Sequence, residues 1–417
     1  MSKNPNEKLS TEPYKGVRDF YPEDQAFLNY FISTVRAFVE KVGYVEYHAS
    51  ILEPSELFKS KGAENEEIIS EQSYTFTDRG GREVTLRPEM TPTVARMVAH
   101  KRRELGYPLR WYSIPNCFRY ERPQRGRLRE FWQPNVDIFG SRSPAADAEV
   151  IAVAYGLMKA FGASDSDFVI KIGSRTHINQ VAQDNSLSDE QTKQLLRLLD
   201  RKSKISSVDF DAGLAELGVN KSVLSPSNIP PDIEKMLADF RAAGIPNIAY
   251  DPSVVRGFAY YTGVVFEVFD THPENNRALF GGGRYDNLTQ LFDDEPLPGV
   301  GFALGDETIR LFMETRGLIP AYLPPTKLYI AVTRPELVLQ AQTLAGELRR
   351  GGVNVAIDFG ERKLGDQIKA AAKHHIPWLM VVGDDELAAG QFTVRNLESG
   401  SEEKMSLEQL PQFFLTV

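Results

Sequence analysis

Four blocks of the chain place groups capable of chemistry at spacings that let them act together. The first is Thr85-Leu86-Arg87-Pro88-Glu89-Met90-Thr91. Pro88 interrupts a sheet ladder and so favours a strand end, where the Glu89 carboxylate and the Thr91 hydroxyl can face a cavity. A carboxylate there can hold an ammonium group through charge-assisted hydrogen bonds. Taken alone, the plainer reading, a surface glutamate beside a structural turn, is favoured.

The second block runs from Cys117 to Phe131 and puts five guanidinium groups (Arg119, Arg122, Arg125, Arg127, Arg129) into eleven residues. In a strand, residues two apart share a face, so Arg119 and Glu121 point one way while Phe118 and Tyr120 point the other. An arginine fork matches phosphate oxygens bidentately, which suits stabilisation of charge at a phosphorus centre. A solvated charged hairpin accounts for most arginine-rich loops, but the ordered run from Phe118 to Pro123 argues against it here. On the returning strand Gln133, Asn135 and Asp137 share one face. Carboxylate and amide acceptors in that arrangement suit an imidazole; the wet face of a sheet explains them equally well.

The third block is Val255 to Glu267. Arg256 and Tyr261 lie an odd number of residues apart, so an unbroken strand sends them to opposite faces; Gly257 lets Arg256 sit in a preceding turn, and both then reach one cavity. A core strand with a tyrosine pair remains open. The last block is Phe280-Gly281-Gly282-Gly283-Arg284-Tyr285-Asp286, followed by Gly299 to Gly305. Glycines let a backbone approach a ligand closely, and a helix opening near Asp306 offers a positive dipole end. A triple glycine by itself is more often a turn.

The elements that must position these groups follow from periodicity. Phe27, Phe31, Val35 and Phe38 recur at helical spacing from Pro22 to Val42, with Gly43 as the stop. An acidic stretch, Glu64 to Glu71, follows. Tyr74–Thr77 and Glu83–Leu86 flank Asp78-Arg79-Gly80-Gly81 as a hairpin, and strands around Cys117–Glu121 and Phe131–Phe139 bracket the arginine-rich loop as a second one. Ala145 to Phe161 is helical, and residues from about Ser174 to Asn247 form a polar helical insertion. Strands at Tyr260–Phe269, near Leu279 and at Val300–Leu304 complete an antiparallel sheet, and a helix from Asp306 to Arg316 ends at Gly317. After Pro320, Pro324 and Pro325 the pattern becomes strand, helix, strand, helix, strand from Leu328 to Val382, which implies right-handed βαβ units in a separate α/β domain. The expected organisation is thus a domain at 1–325 interrupted at about 174–247, then a domain at 326–417.

Composition sets the outer bounds. With 417 residues, 42% hydrophobic and 25% charged, the chain is of a globular kind with room for two or three domains. The start lacks the apolar stretch of a secretory signal and no apolar run reaches membrane-spanning length, so a cytoplasmic location and no membrane partner are expected. Cys117 is the only cysteine, and the six histidines show no zinc-ligand spacing. The adjacent His374 and His375 read as surface residues of a helix. A net charge of −9 argues against indiscriminate nucleic-acid binding while leaving room for the local basic patch at 119–129.

In their order along nearly the whole chain, these blocks resemble the histidyl-tRNA synthetases of the class II aminoacyl-tRNA synthetase superfamily. Gly16-Val17-Arg18-Asp19-Phe20 and Ile51-Leu52-Glu53 look like the family's opening and first motif, Phe118–Gln133 like the second, and Gly301–Ile309 like the third. Arg256–Glu267 is similar to the histidine-specific segment. The resemblance implies an α+β catalytic domain with a central antiparallel sheet, a helical insertion and a C-terminal α/β anticodon-binding domain. It implies that Glu89 and Thr91 hold the histidine amino group, that Gln133, Asp137 and Tyr261 hold its imidazole, with Tyr260 and Tyr285 in the same pocket, and that Arg119 and Arg256 act on the ATP α-phosphate. Glu121, Arg127, Phe131 and Gly305 complete the ATP site, and Gln124, Arg125, Gly126 and Arg127 approach the acceptor end of tRNA(His). Mg²⁺ enters with ATP rather than in a protein cage, and the family is homodimeric.

Three positions depart from the family pattern: Ser50 for a proline, Ala259 for an acidic residue, and Thr308 for the third-motif arginine that grips ATP. Arg310 or Arg284 is expected to compensate for the last. Two alternatives compete, a synthetase-like regulatory subunit of ATP phosphoribosyltransferase and a pseudo-synthetase that only binds histidine or RNA. The well-formed domain beyond Pro325 ranks the first of these second.

Overall fold

The computed structural model describes residues 8–59, 72–275, 277–293 and 295–416; the acidic stretch at 64–71 lies outside them. The chain divides into two compact units, Met1–Pro320 and Ala321–Val417.

The first unit is built on a sheet whose strands come from distant parts of the sequence. In chain order the strands are β1 (Val45–Glu46), β2 (Leu52–Pro54), β3 (Tyr74–Thr77), β4 (Glu83–Leu86), β5 (Leu109–Ser113), β6 (Asn116–Phe118), β7 (Glu130–Trp132), β8 (Asn135–Phe139), β9 (Phe168–Ser174), β10 (Ile248–Tyr250), β11 (Val264–Asp270), β12 (Ala278–Arg284) and β13 (Gly299–Leu304). Eight of them form one sheet in the order β1-β5-β8-β13-β12-β11-β9-β10. Pairing is antiparallel from β5 through β9, and only the edges β1–β5 and β9–β10 are parallel. Of the two hairpins expected to belong to this sheet, only the Asn135–Phe139 end of the second joins it, as β8. β3 and β4 pair with β2 in a separate three-stranded sheet, and β6–β7 stand alone as a two-stranded one.

Alternation along the strands explains the two faces. Val136, Ile138, Phe266, Val268, Phe280, Val300, Phe302 and Leu304 point to one face and pack in a single core with the helices Pro22–Lys41 and Pro144–Ala160. Each fully buried aliphatic or aromatic side chain there contributes about 1.5–3 kcal/mol. Beyond Leu279, the intervening positions on β12 and β13 are Gly281, Gly283, Gly299, Gly301 and Ala303, so the opposite face lacks bulk there and forms a concavity. The helix Thr91–His100, which the sequence reading did not anticipate, stands at that side with Val94, Ala95 and Val98 buried against Tyr260, Tyr261 and Tyr285.

The insertion comprises the helices Arg175–Asp184, Asp189–Asp200, Ser207–Glu216 and Pro231–Ala242. Ser174, expected to open it, is the last residue of β9. In the second unit β14 (Leu328–Val332), β15 (Val355–Ile357), β16 (Trp378–Val382), β17 (Gln391–Asn396) and β18 (Glu402–Ser406) lie in the order β15-β14-β16-β17-β18. The first three are parallel as expected; β17 and β18 add an antiparallel ladder that was not. His374 and His375 follow the helix Leu364–Lys373 rather than lying in it, with His375 at φ 55°. No helix among the described residues is long and apolar enough to cross a membrane.

Candidate active site

Above the glycine face lies a cleft of about 470 Å³ of empty space, lined by Glu89, Thr91, Arg119, Gln133, Asn135, Arg256, Phe258, Tyr260, Tyr261 and Tyr285 over the backbone of Gly281 and Gly301–Ala303. All four blocks therefore meet. Gly301 is what lets β13 pass beneath. A Cβ on it would stand 2.6 Å from the Val136 carbonyl and 2.9 Å from the Tyr285 hydroxyl, and closer still to the Asp137 carboxylate.

Asp137 lies under the cleft, 2% exposed, and its Oδ1 accepts a hydrogen bond from the Tyr285 hydroxyl. Its Oδ2 is buried without a partner among the described residues. Burial pushes the Asp137 carboxyl up to about 7, against the pull of the Tyr285 bond. Glu89 is likewise buried, at 6% exposure, and pushed up to about 7 by burial, offset in part by Arg119 and by the Tyr260 hydroxyl, which donates to Glu89 Oε2 at 3.0 Å. Glu89 thus lines the cleft together with two guanidinium groups, while Asp137 is buried beneath the lining.

Arg119 follows the end of β6. Its Nε donates to the Pro88 carbonyl at 2.9 Å and its guanidinium lies 5.2 Å from the Phe131 ring centre, which leaves both terminal nitrogens without a protein acceptor among the described residues. Arg256 is held differently. Its Nη1 donates to Glu267 at 2.8 Å, and its backbone is left-handed at φ 59°. That conformation costs a non-glycine residue on the order of 1–3 kcal/mol and marks a position fixed by its surroundings. Burial depresses the guanidinium's pKa, but Tyr261 and Glu267 more than offset it.

Two local expectations are corrected. The bend falls on Arg256 itself and not on Gly257, and the strand begins at Val264, so Tyr260 and Tyr261 sit in the loop before it. Stacking fixes them there: Phe258 lies parallel to Tyr260 at 5.1 Å, and Tyr260 is 4.8 Å from Tyr261. Gln133 also lies outside a strand, because Pro134 separates β7 from β8; its amide oxygen is 3.9 Å from the buried Cys117 sulfur. Burial raises that thiol to about 12.

Other expected site residues lie outside the cleft lining. Glu121 approaches Arg127 at 3.6 Å, and the tip Gln124–Arg127 is a tight turn closed by reciprocal backbone bonds, with Gly126 at φ 77°. Gly305 precedes the helix Asp306–Thr315. That helix start is tied to two other blocks: Asp306 pairs with Arg18 at 2.6 Å and accepts from the Trp132 backbone at 3.0 Å.

Thr308 bonds the Leu279 and Gly305 carbonyls, at 2.8 and 3.0 Å. Neither expected substitute for its missing cation points to the cleft. Arg310 pairs with Asp24 and Glu314, and Arg284 is consumed by Asp147 and Asp286 on the helical side of the sheet. Ser50 caps its own turn through Leu52 N–H at 3.2 Å, and Ala259 faces solvent. Residues given no role of their own from the sequence are Phe258 and Glu267, whereas Gly281 and Gly301 lie where the last block's glycines were expected to meet a ligand. Glu267 had a signal: as an acidic residue inside an apolar strand it calls for a buried partner.

An antiparallel sheet with helices packed on one face and a charged cleft on the other, followed by a small mixed-sheet unit, is the fold of class II aminoacyl-tRNA synthetases. The pattern of the histidyl-tRNA synthetase family matches residues 16–225 and 228–309, and that of an anticodon binding domain matches 327–416. The histidine–tRNA ligase of Leptospira biflexa is 40% identical over 428 aligned positions, covering 97% of this chain and 98% of the relative; that of Thermoplasma volcanium is 34% identical with the same coverage. The apo histidyl-tRNA synthetase of S. aureus superposes with a TM-score of 0.74 at 26% identity, over 97% of this chain and 100% of that one. The chain belongs to the histidyl-tRNA synthetase family.

Proposed function

We propose that the cleft binds histidine and ATP, joins them as histidyl-adenylate, and passes the histidyl group to tRNA(His). Family membership makes the chain an aminoacyl-tRNA ligase specific for histidine; the regulatory-subunit alternative is not favoured. The observation that carries the residue-level reading is the buried, unpartnered Oδ2 of Asp137 beneath a cleft that also holds Glu89 and the open fork of Arg119.

In this reading Glu89 and Thr91 hold the substrate ammonium, and Asp137, Tyr285, Gln133, Tyr260 and Tyr261 enclose its imidazole, whose N–H supplies Asp137 Oδ2 with the donor it lacks. Arg119 and Arg256 face the α-phosphate. The histidine carboxylate attacks that phosphorus, the bond to pyrophosphate breaks, and the two guanidinium groups stabilise the charge that accumulates on the equatorial oxygens. The terminal ribose hydroxyl of the RNA then attacks the activated carbonyl and releases AMP. Gln124, Arg125, Gly126 and Arg127 approach the acceptor end, while Glu121, Arg127, Phe131 and Gly305 border the nucleotide.

Mg²⁺, when bound with ATP, neutralises phosphate charge. Glu121, whose buried Oε2 has an ion-pair partner in Arg127 at 3.6 Å but no hydrogen bond, would be the carboxylate of the second block to meet it. In this reading the ligase works as a cytoplasmic homodimer.

Histidine-dependent exchange of pyrophosphate into ATP tests the assignment. The enzyme shows it. A regulatory subunit or a pseudo-synthetase does not, and its absence from folded protein would overturn the reading.

A further inference from the structure

No residue of the helical insertion lines the cleft, yet the insertion's packing reaches the residue next to Arg256. Its helices enclose a small apolar core that includes Ile178, Leu195, Leu199, Phe210 and Leu214, and Val255, which lies beyond the insertion in sequence, is part of that core at 1% exposure.

The first turn of the insertion grips the same loop at both ends. Arg175 is 7% exposed and forms no ion pair among the described residues; its Nη1 makes a long bond of 3.4 Å to the Val255 carbonyl, and its backbone N–H donates to Gly263 at 2.9 Å. The Thr176 hydroxyl reaches the Thr262 carbonyl at 3.4 Å. Gly173, two residues earlier, has no side chain because Val254 lies on it: a Cβ there would meet the Val254 carbonyl carbon at 2.9 Å. Between these anchors the chain carries Arg256, Tyr260 and Tyr261.

A left-handed arginine persists only where its neighbours over-determine it. Glu267 fixes the Arg256 side chain, but the backbone bend is fixed from the other side, by Val255 locked in the insertion's core. We infer that Val255 and Arg175 are positioning residues, through which the helical insertion holds Arg256 in the conformation that aims its guanidinium at the cleft. Histidine activation therefore depends on the packing of an element that touches neither substrate. This rests on the role given to Arg256 in the proposed reaction.

The test is steady-state histidine-dependent pyrophosphate exchange on the intact chain, with folding of each variant checked by circular dichroism. Because a displacement of about 1 Å can cost on the order of a hundredfold in rate, Val255→Ala and Arg175→Met are expected to lower kcat at least about tenfold, with KM for histidine changed less than about twofold. Val255→Ile, which keeps the branched packing, restores most of the rate. Leu348→Ala, an equal truncation in the core of the second unit, leaves kcat for exchange within about twofold. The inference is overturned if Val255→Ala and Arg175→Met both stay within about twofold of the parent, or if Leu348→Ala falls as far as they do. An Arg256→Ala variant separates the two levels. If it loses exchange while Val255→Ala and Arg175→Met keep it, only the positioning role fails; if it too keeps exchange, the role of Arg256 fails with it.

Discussion

The cleft has one wall made of strands and one made of loops, and they are held by different physics. On the strand wall, Asp137 on β8 and Tyr285 just after β12 meet because Gly301 between them carries no side chain, and ladder register places Asp137 opposite Gly301. On the loop wall, Glu89, Arg119, Arg256 and the tyrosine pair are fixed by a carbonyl, an ion pair and stacked rings. The strand wall excludes; the loop wall supplies charge. In the proposed reading, discrimination of an imidazole falls to groups set by the sheet, and the handling of phosphate to side chains aimed by their partners.

The largest effect that would sharpen this contrast is on the loop wall. Arg256→Ala should lower kcat for pyrophosphate exchange about 10²–10³-fold, the usual loss for one pre-aimed donor, with little change in KM for histidine. A rise in KM at unchanged kcat would place Arg256 with the amino acid instead. Gly301→Ala should do the reverse, raising KM for histidine by about tenfold or more and costing about 1–3 kcal/mol of stability by overpacking, read by thermal unfolding.

A smaller, pH-dependent effect spans both walls. Burial raises Glu89 and Asp137 to about 7, from ordinary values of 4.5 and 3.8. The folded, unliganded chain then keeps protons that the unfolded chain has released, so these groups make stability fall as pH rises from about 4 through 7. Urea midpoints across that range should show the decline, and Glu89→Gln should remove its share; a midpoint rising over the same range for the parent but not the variant would contradict the assignment. The smallest effect belongs to Arg310→Ala. Paired with Asp24 and Glu314, it should alter exchange and KM for ATP less than about twofold and stability by less than about 1 kcal/mol. A large loss would reinstate it as the third-motif cation.

Much of this was legible in the chain itself, and what was not has identifiable causes. The hairpin around Asp78–Gly81 and the helix from Pro22 were readable because turn residues and apolar spacing agree. That the hairpin stays out of the main sheet was not, since pairing partners are set by tertiary packing. Tyr260 and Tyr261 read as strand because aromatic residues favour strands, but stacking on Phe258 and the bend at Arg256 keep them in a loop. β9 had a usable signal, Ile170 and Ile172 alternating with Lys171, hidden by its position at the mouth of the insertion. Convergence of the four blocks was implied by the family resemblance that their order carries; the diversion of Arg284 to Asp147 was not, because sequence does not say which face of β12 is covered by helices.

Cys117 offers a use that none of this chemistry requires. It is the chain's single sulfhydryl, wholly enclosed behind Gln133, and its high pKa keeps it unreactive. A reagent that labels this thiol in the native protein must therefore catch it while that region is transiently open, so the rate of labelling at Cys117 is a clock for breathing of the chamber floor. Ligand occupancy should slow that clock, which makes engagement visible without any turnover at all.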